Sequence, residues 1–309
     1  MTAAMLPFTE IEQQFAASDY QLSHKIGEGG FGSVYKAVYQ KTDQHVAIKC
    51  LHLDPQESLK QRQRQIARFE RESRFVSRLS HPNIVRLLDK GTIGENSVYS
   101  VFEYVDGISL SEYLNVYGAL DIEAAYSVML QVLDALVHAH EYGIIHRDIK
   151  PSNIMLSYSG AKPHVKLLDF GISTQSFNQR SVDYQTLTLN QESLGTPTYC
   201  APEQLRGEQA TFSSDLYMWG LVFLECLSGA PAVSGTSIAE IYHQHLSDTP
   251  ISIPTGLLAH PLGGLLRRVL LKRVNERTHS AKEVFEQLDT MVISNLVGNF
   301  QPEQRKPLA

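Results

Sequence analysis

Cysteine is scarce: the 309 residues hold three, Cys50, Cys200 and Cys226. No two stand at a metal-ligand spacing, and three scattered thiols build no disulfide framework. That excludes a small disulfide-stapled scaffold and points to a reducing compartment. Basic charge is also short. Lys and Arg number 27 against 33 Asp and Glu, for a net charge of -6 and a pI near 6.1, which argues against general nucleic-acid binding. The one massed cationic stretch, Lys60-Gln61-Arg62-Gln63-Arg64, has the pattern of an exposed helix start. Long apolar runs are missing too. The most apolar window, residues 216–233, is broken by Glu225, Gly229 and Pro231 and is expected as a buried core helix, not a membrane span. Residues 1–20 have neither the basic start nor the apolar stretch of a secretory signal. No repeat or low-complexity tract stands out. The expectation is a soluble, cytoplasmic chain with no membrane segment, long enough for one large domain or two lobes.

What the chain does have is a concentrated polar octapeptide, His146-Arg147-Asp148-Ile149-Lys150-Pro151-Ser152-Asn153. A helical pattern over residues 125–140 precedes it, and the apolar Ile154-Met155-Leu156 follows. Pro151 forbids a continuous helix, so these side chains sit on a loop held between ordered elements. In isolation the octapeptide also fits a charged surface loop. The rest of the chain must supply its partners.

Residues 1–19 form a mixed polar and apolar leader, in which a short helix is one reading. From Tyr20 the pattern alternates as strands do, and Gly27-Glu28-Gly29-Gly30-Phe31-Gly32 interrupts it before Val34, Lys36 and Val38 resume. A G-x-G-x-x-G run alone is weak, because in a dinucleotide-binding fold the third glycine opens a helix. Here a β-branched alternating run follows, so the unit reads as strand, turn, strand: a hairpin whose bare tip can lie close over phosphates. The third strand, residues 44–51, puts Ala47 and Lys49 on one face. A lysine in so apolar a strand asks for a carboxylate. A helix over residues 61–79 offers Glu70 and Glu72; at about 100° per residue its apolar face is Phe69, Phe75, Val76 and Leu79, with Glu72 at the centre and Glu70 turned away. Glu72 is the expected partner of Lys49.

Strands are expected over residues 84–88 and 97–104, with a turn near residues 91–96. Asp106-Gly107 reads as a linker, beyond which the chain turns mainly helical. Two short strands, 154–156 and 165–168, deliver Asp169-Phe170-Gly171. Residues 172–193 have no period and read as a mobile loop. It closes at Gly195-Thr196-Pro197-Thr198-Tyr199-Cys200-Ala201-Pro202-Glu203, followed by the core helix with Asp215 near its start, then amphipathic helices and Arg277.

In this order and rough spacing the segments resemble the protein-kinase superfamily over about residues 20–290, with His146 to Asn153 as the catalytic loop H-R-D-x-x-x-x-N. Lys150 and Gly195-Thr196-Pro197 resemble serine/threonine rather than tyrosine kinases, and the compact layout resembles the bacterial eukaryotic-like branch. Leu205-Arg206-Gly207-Glu208 and residues 260–268 are loosely similar to the kinase part of bacterial kinase–cyclase fusion proteins. The implied fold is α+β and bilobal. A leader (1–19) precedes a kinase domain (20–290), with an antiparallel-sheet small lobe carrying one key helix (20–105) and a helical large lobe (106–290), and then a tail (291–309).

The resemblance implies ATP and Mg²⁺ as cofactors, and serine and threonine hydroxyls of proteins as substrates. The hairpin (Ile26, Gly27, Glu28, Gly29, Gly30, Phe31, Gly32, Val34) would cover the nucleotide. Ala47 would pack on the purine, with Met155 as floor, Phe102 as gatekeeper and the backbone of Glu103 and Val105 reading the adenine. Lys49, held by Glu72, would reach the α and β phosphates. Asn153 and Asp169 would bind the metal, Asp148 would accept the substrate proton, and Lys150 would offset charge on the transferred phosphoryl. Arg147 implies activation by phosphate on the chain's own loop, with Thr188 and Thr186 ahead of Ser181 and Ser193, through a transient homodimer that phosphorylates in trans. Two rivals stand beside this reading: a pseudokinase acting as a nucleotide-binding signalling module, and a small-molecule kinase of related fold. Asp215 and Arg277 are expected as structural residues, the latter pairing with Glu203. His138 and His140 are expected as helix-face residues. His243 and His245 are not expected to bind metal. Leu271-Lys272-Arg273-Val274, where kinases often have an acidic-Pro pair, departs from the family pattern and is expected to cost little beyond local turn geometry.

Overall fold

The computed structural model describes residues 8–29, 32–53, 56–93, 97–158, 163–170 and 197–297; Gly30, Phe31 and all of residues 171–196 lie outside them. The chain divides into two compact units, Met1–Ser80 with Val85–Val105, and His81–Ile84 with Asp106–Ala309. The architecture is α+β: an antiparallel sheet with helices in the first unit, mainly helices in the second.

In the first unit, β1 (Tyr20–Gly29), β2 (Gly32–Tyr39), β3 (Gln44–His52), β4 (Leu87–Ile93) and β5 (Ser97–Glu103) form one five-stranded sheet in the order β1-β2-β3-β5-β4. Alternation sorts its side chains. Val46, Ile48 and Cys50 of β3 join Tyr35, Ala37 and Val101 in a core that Ile11 and Phe15 of helix α1 (Phe8–Phe15) complete. Residues 8–15 of the leader are thus a short helix whose apolar side closes one face of the sheet. The odd-numbered residues of β3 face the other way, and Leu51 packs with Leu53, Val98 and Phe69 of helix α2 (Leu59–Val76). Ser58 and Gln61 cap α2 reciprocally, Ser58 Oγ accepting from Gln61 N and Gln61 Oε1 from Ser58 N.

The expected strand over residues 84–88 is displaced. Ile84 forms a parallel bridge with Leu167, and Leu167 N donates to Asn83 O at 2.8 Å. That engages residues 83–84 in the second unit, and β4 begins at Leu87. Gly91, Thr92 and Ile93, expected in a turn, pair with Tyr99, Val98 and Ser97.

In the second unit, β6 (Ile108–Ser109), β7 (Ile154–Ser157) and β8 (His164–Leu167) make a small sheet beside helices α3 (Leu110–Tyr117) and α4 (Ile122–Glu141). Beyond them lie α5 (Pro202–Leu205), α6 (Phe212–Ser228), α7 (Ile238–Leu246), α8 (Pro261–Val269) and α9 (Ala281–Asp289). Helix α6 is apolar on all sides and buried from Ser213 to Leu227, ending at Gly229 in the left-handed region (φ 71). Helix α4 is the one described helix long and apolar enough to span a bilayer, yet half of that stretch is buried. It packs on α6, α9 and β8, as a core helix does.

Candidate active site

The loop between α4 and β7 is fixed from beneath by one carboxylate. Asp215, fully buried in the first turn of α6, accepts His146 N–H and Arg147 N–H at 2.8 Å each, and His140 Nε2–H at 2.8 Å. Asp215 therefore holds the catalytic-loop backbone, as its sequence position suggested. His140 does more than its expected place on a helix face: it is a third donor to that carboxylate. Arg147 sits at φ 70, a conformation that costs a non-glycine residue about 1 kcal/mol or more and must be held by its surroundings. His146 is buried and its ring lies 4.6 Å from that of Phe170. Burial lowers its pKa, so the neutral ring donates from Nε2 to Leu168 O (2.9 Å) and accepts Asp148 N–H at Nδ1 (3.3 Å).

Asp148 follows directly. Lys150 Nζ lies 2.8 Å from its Oδ2, and Asn153 Nδ2 donates to its main-chain O at 2.8 Å and its Oδ2 at 3.0 Å. Asn153 ends a short 3-10 turn opened by Pro151, and its carbonyl accepts Leu168 N–H at 2.8 Å. That bond places the segment Leu168-Asp169-Phe170 beside the loop. Asp169 is exposed in a left-handed conformation (φ 44), while the next residue, Phe170, is fully buried. Both Nδ2 protons of Asn153 are engaged, so its amide oxygen remains for a cation. With the Asp169 carboxylate it offers the hard oxygen donors that Mg²⁺ takes. The site fits the metal by chemistry. Cys200 is no rival nucleophile: burial pushes its thiol up to about 12, Asp148 adds to the shift and Lys150 opposes it.

In the first unit, Lys49 Nζ lies 2.8 Å from Glu72 Oε1, with both side chains largely shielded. Glu70, two residues away on α2, is exposed. The pleat thus selects the carboxylate that the helix-face argument named. Register aligns Gly27 with Val34, Val34 with Lys49 and Lys49 with Ser100 in one row across the sheet. Ala47 stands beside Lys36 and Phe102 in the next row. Ile26 is 43% exposed, and Glu28 pairs with Lys25 at 2.8 Å on the surface. Gly29 pairs with Gly32 at the hairpin tip. Gly32 has a reason of its own: at φ 130, a Cβ there would collide with the Cys50 carbonyl of β3. Glu103 N bonds Arg86 O, and its Oε1 accepts Arg86 N–H. Val105 is half-buried at the end of this unit. Met155, in the second unit, is half-buried on β7.

The family profile of the protein kinase domain matches residues 20–288. The chain belongs to the protein kinase family. Within it, the chain resembles bacterial serine/threonine kinases. It is 37% identical over 287 residues to the probable serine/threonine-protein kinase PknB of Bifidobacterium longum, covering 89% of this chain and 40% of that protein. It is 39% identical over 232 residues to the serine/threonine-protein kinase PrkC of Bacillus subtilis, covering 75% and 34%. To PkaA of Streptomyces coelicolor it is 36% identical over 271 residues, covering 84% and 48%. The chain thus spans a third to a half of the length of these kinases.

The kinase domain also carries buried polar contacts away from this loop, of which the pairing of Arg277 with Glu203 was expected from the sequence. Glu203 and Arg277 form a buried bidentate pair (2.7 and 2.8 Å), joined by Ser214 Oγ. Burial would raise the pKa of Glu203, but the bonds and charge of Arg277 outweigh it and lower it. His245 is fully buried and binds protein: Nε2 donates to Thr198 O and Nδ1 accepts from Tyr217 Oη, both at 3.0 Å. Tyr199 Oη donates to Glu225 Oε2 at 2.7 Å. Lys272 is buried, not a turn residue alone; among the described residues its ammonium has one acceptor, Gln244 O at 2.6 Å. Apart from the Glu203–Arg277 pair, no local pattern announces these contacts.

Proposed function

We propose that this chain is the catalytic domain of a serine/threonine protein kinase that uses Mg-ATP, acts in the cytoplasm where ATP is held, and phosphorylates its own activation segment. The observation that carries the reading is the setting of Asp148, whose carboxylate is held by Lys150 at 2.8 Å and Asn153 at 3.0 Å. Mg-ATP supplies the phosphoryl group and the charge neutralisation that moving it requires. Asp148 accepts the proton of a protein hydroxyl and orients it in line. Lys150, already beside Asp148, offsets charge developing on the transferred group. Asn153 and Asp169 would hold the metal through oxygen; in the first unit Lys49, fixed by Glu72, would take the α and β phosphates. By resemblance to the family, the glycine hairpin with Ile26, Val34, Ala47, Glu103 and Val105 of the first unit, and Met155 of the second, would each contribute to nucleotide binding.

Self-phosphorylation rests on Arg147. Its guanidinium is buried enough that desolvation lowers its pKa, and among the described residues its Nε has no partner. A half-buried planar cation short of an acceptor is matched by a phosphate, which adds about -1.5 to -2 charges. Thr188 and Thr186, outside the described residues, are the proposed sites, modified in trans by a transient second copy. Incubating the purified chain with radiolabelled ATP, Mg²⁺ and a generic protein substrate should label both. Mass spectrometry should find phosphate on Thr188 or Thr186, absent from Asp148→Asn. Full activity of a Thr186→Ala/Thr188→Ala double variant would remove the switch; absence of any transfer would remove the kinase reading.

A further inference from the structure

The geometry points to Gln204 as a positioning residue for Asp148, an inference that rests on Asp148 being the base. The left-handed backbone at Arg147 must be held at both of its peptide groups. Its N–H is fixed by Asp215. Its carbonyl belongs to the peptide unit that begins Asp148, and Gln204 Nε2 donates to it at 3.0 Å. The N–H of that same unit, Asp148 N, is received by His146 Nδ1 at 3.3 Å. Side chains from two elements thus grip one peptide plane at both ends, and rotation of that plane would swing the Asp148 side chain.

The orientation of the Gln204 carboxamide is set by its second bond. Its oxygen accepts Ala201 N–H at 2.9 Å, which leaves the NH₂ group to face Arg147 O. Gln204 sits in the short helix α5, directly after Tyr199, Cys200 and Ala201. One side chain therefore ties this segment to the backbone of the proposed base. A carboxylate in its place would keep the bond to Ala201 and lose the bond to Arg147. Glutamate at this position is also favourable for the first turn of a helix. That separates a structural from a positioning role.

The test compares Gln204→Glu, Gln204→Met and Asp148→Asn in full-length chain, reading kcat, KM for ATP and melting temperature. Gln204→Glu should keep the melting temperature and KM of the wild type while kcat falls about three- to tenfold, the worth of one hydrogen bond made worse by a carboxylate facing a carbonyl. Gln204→Met, which loses both bonds, should lower kcat at least as much and melt earlier. Wild-type kcat in Gln204→Glu overturns the inference, and so does a loss confined to KM. Wild-type turnover in Asp148→Asn overturns the assignment of the base and this inference with it. An inactive Asp148→Asn beside a fully active Gln204→Glu overturns only the role of Gln204.

Discussion

Asn153 gives both protons of its carboxamide to Asp148, one to the main-chain oxygen at 2.8 Å and one to the carboxylate at 3.0 Å. The proposed base and a proposed metal ligand, five positions apart in the chain, are therefore one rigid unit. Asp148→Asn should keep this shape and lose about 10²- to 10⁴-fold in kcat. Asn153→Asp should also lower kcat, since it removes both donated bonds and sets a second negative charge beside the Asp148 carboxylate. Steady-state phosphorylation kinetics check both; wild-type kcat in either variant would contradict the assignment.

The Lys49–Glu72 pair separates two carboxylates that differ by two positions on one helix. Lys49→Met should abolish measurable transfer, and Glu72→Gln should lower kcat about tenfold or more by releasing the ammonium. Glu70→Gln, on an exposed position, should change little. A large loss at Glu70 with none at Glu72 would reverse the assignment.

Lys272 should destabilise the domain at neutral pH. Its pKa falls from 10.5 to about 8, chiefly through burial, with Arg277 contributing. Below pH 8 both folded and unfolded chains carry the charge, and the folded state bears its burial. Between 8 and 10.5 the folded chain binds fewer protons than the unfolded one, so stability rises with pH. Lys272→Met should be more stable than wild type at pH 7, by about 1–3 kcal/mol, and should lack that rise. Urea melts at pH 7 and 9.5 decide this; a less stable Met variant would be the contrary result.

His245 should make the fold acid-sensitive. Its pKa drops from 6.5 to about 4 through burial, with Lys272 adding and the Thr198 carbonyl opposing; the neutral ring accepts from Tyr217 and donates to Thr198. Its folded pKa is depressed, so its contribution is whole above 6.5 and is lost as pH falls toward 4. His245→Gln should show a shallower loss of stability over that window. Circular dichroism melts at pH 7, 6, 5 and 4.5 report it, and equal slopes would clear His245 of the effect.

Sequence by itself determined much of this protein. Alternation in β3 put Ala47 and Lys49 on one face, and the apolar stripe of α2 put Glu72, not Glu70, at its centre. The order of glycine hairpin, lysine strand, polar octapeptide and Asp169-Phe170-Gly171 marked the family, because each of these is a local pattern. Only the tertiary structure decided the rest. It drew Ile84 out of the expected strand to bridge Leu167, made His140 a donor to Asp215, and buried Lys272 beside Gln244 and Arg277. It also brought Gln204 to a carbonyl 57 positions earlier. The physical reason is the same throughout. Periodicity reports which face of an element is apolar, but a polar bond depends on which distant atom that face meets, and that is settled only when the elements pack.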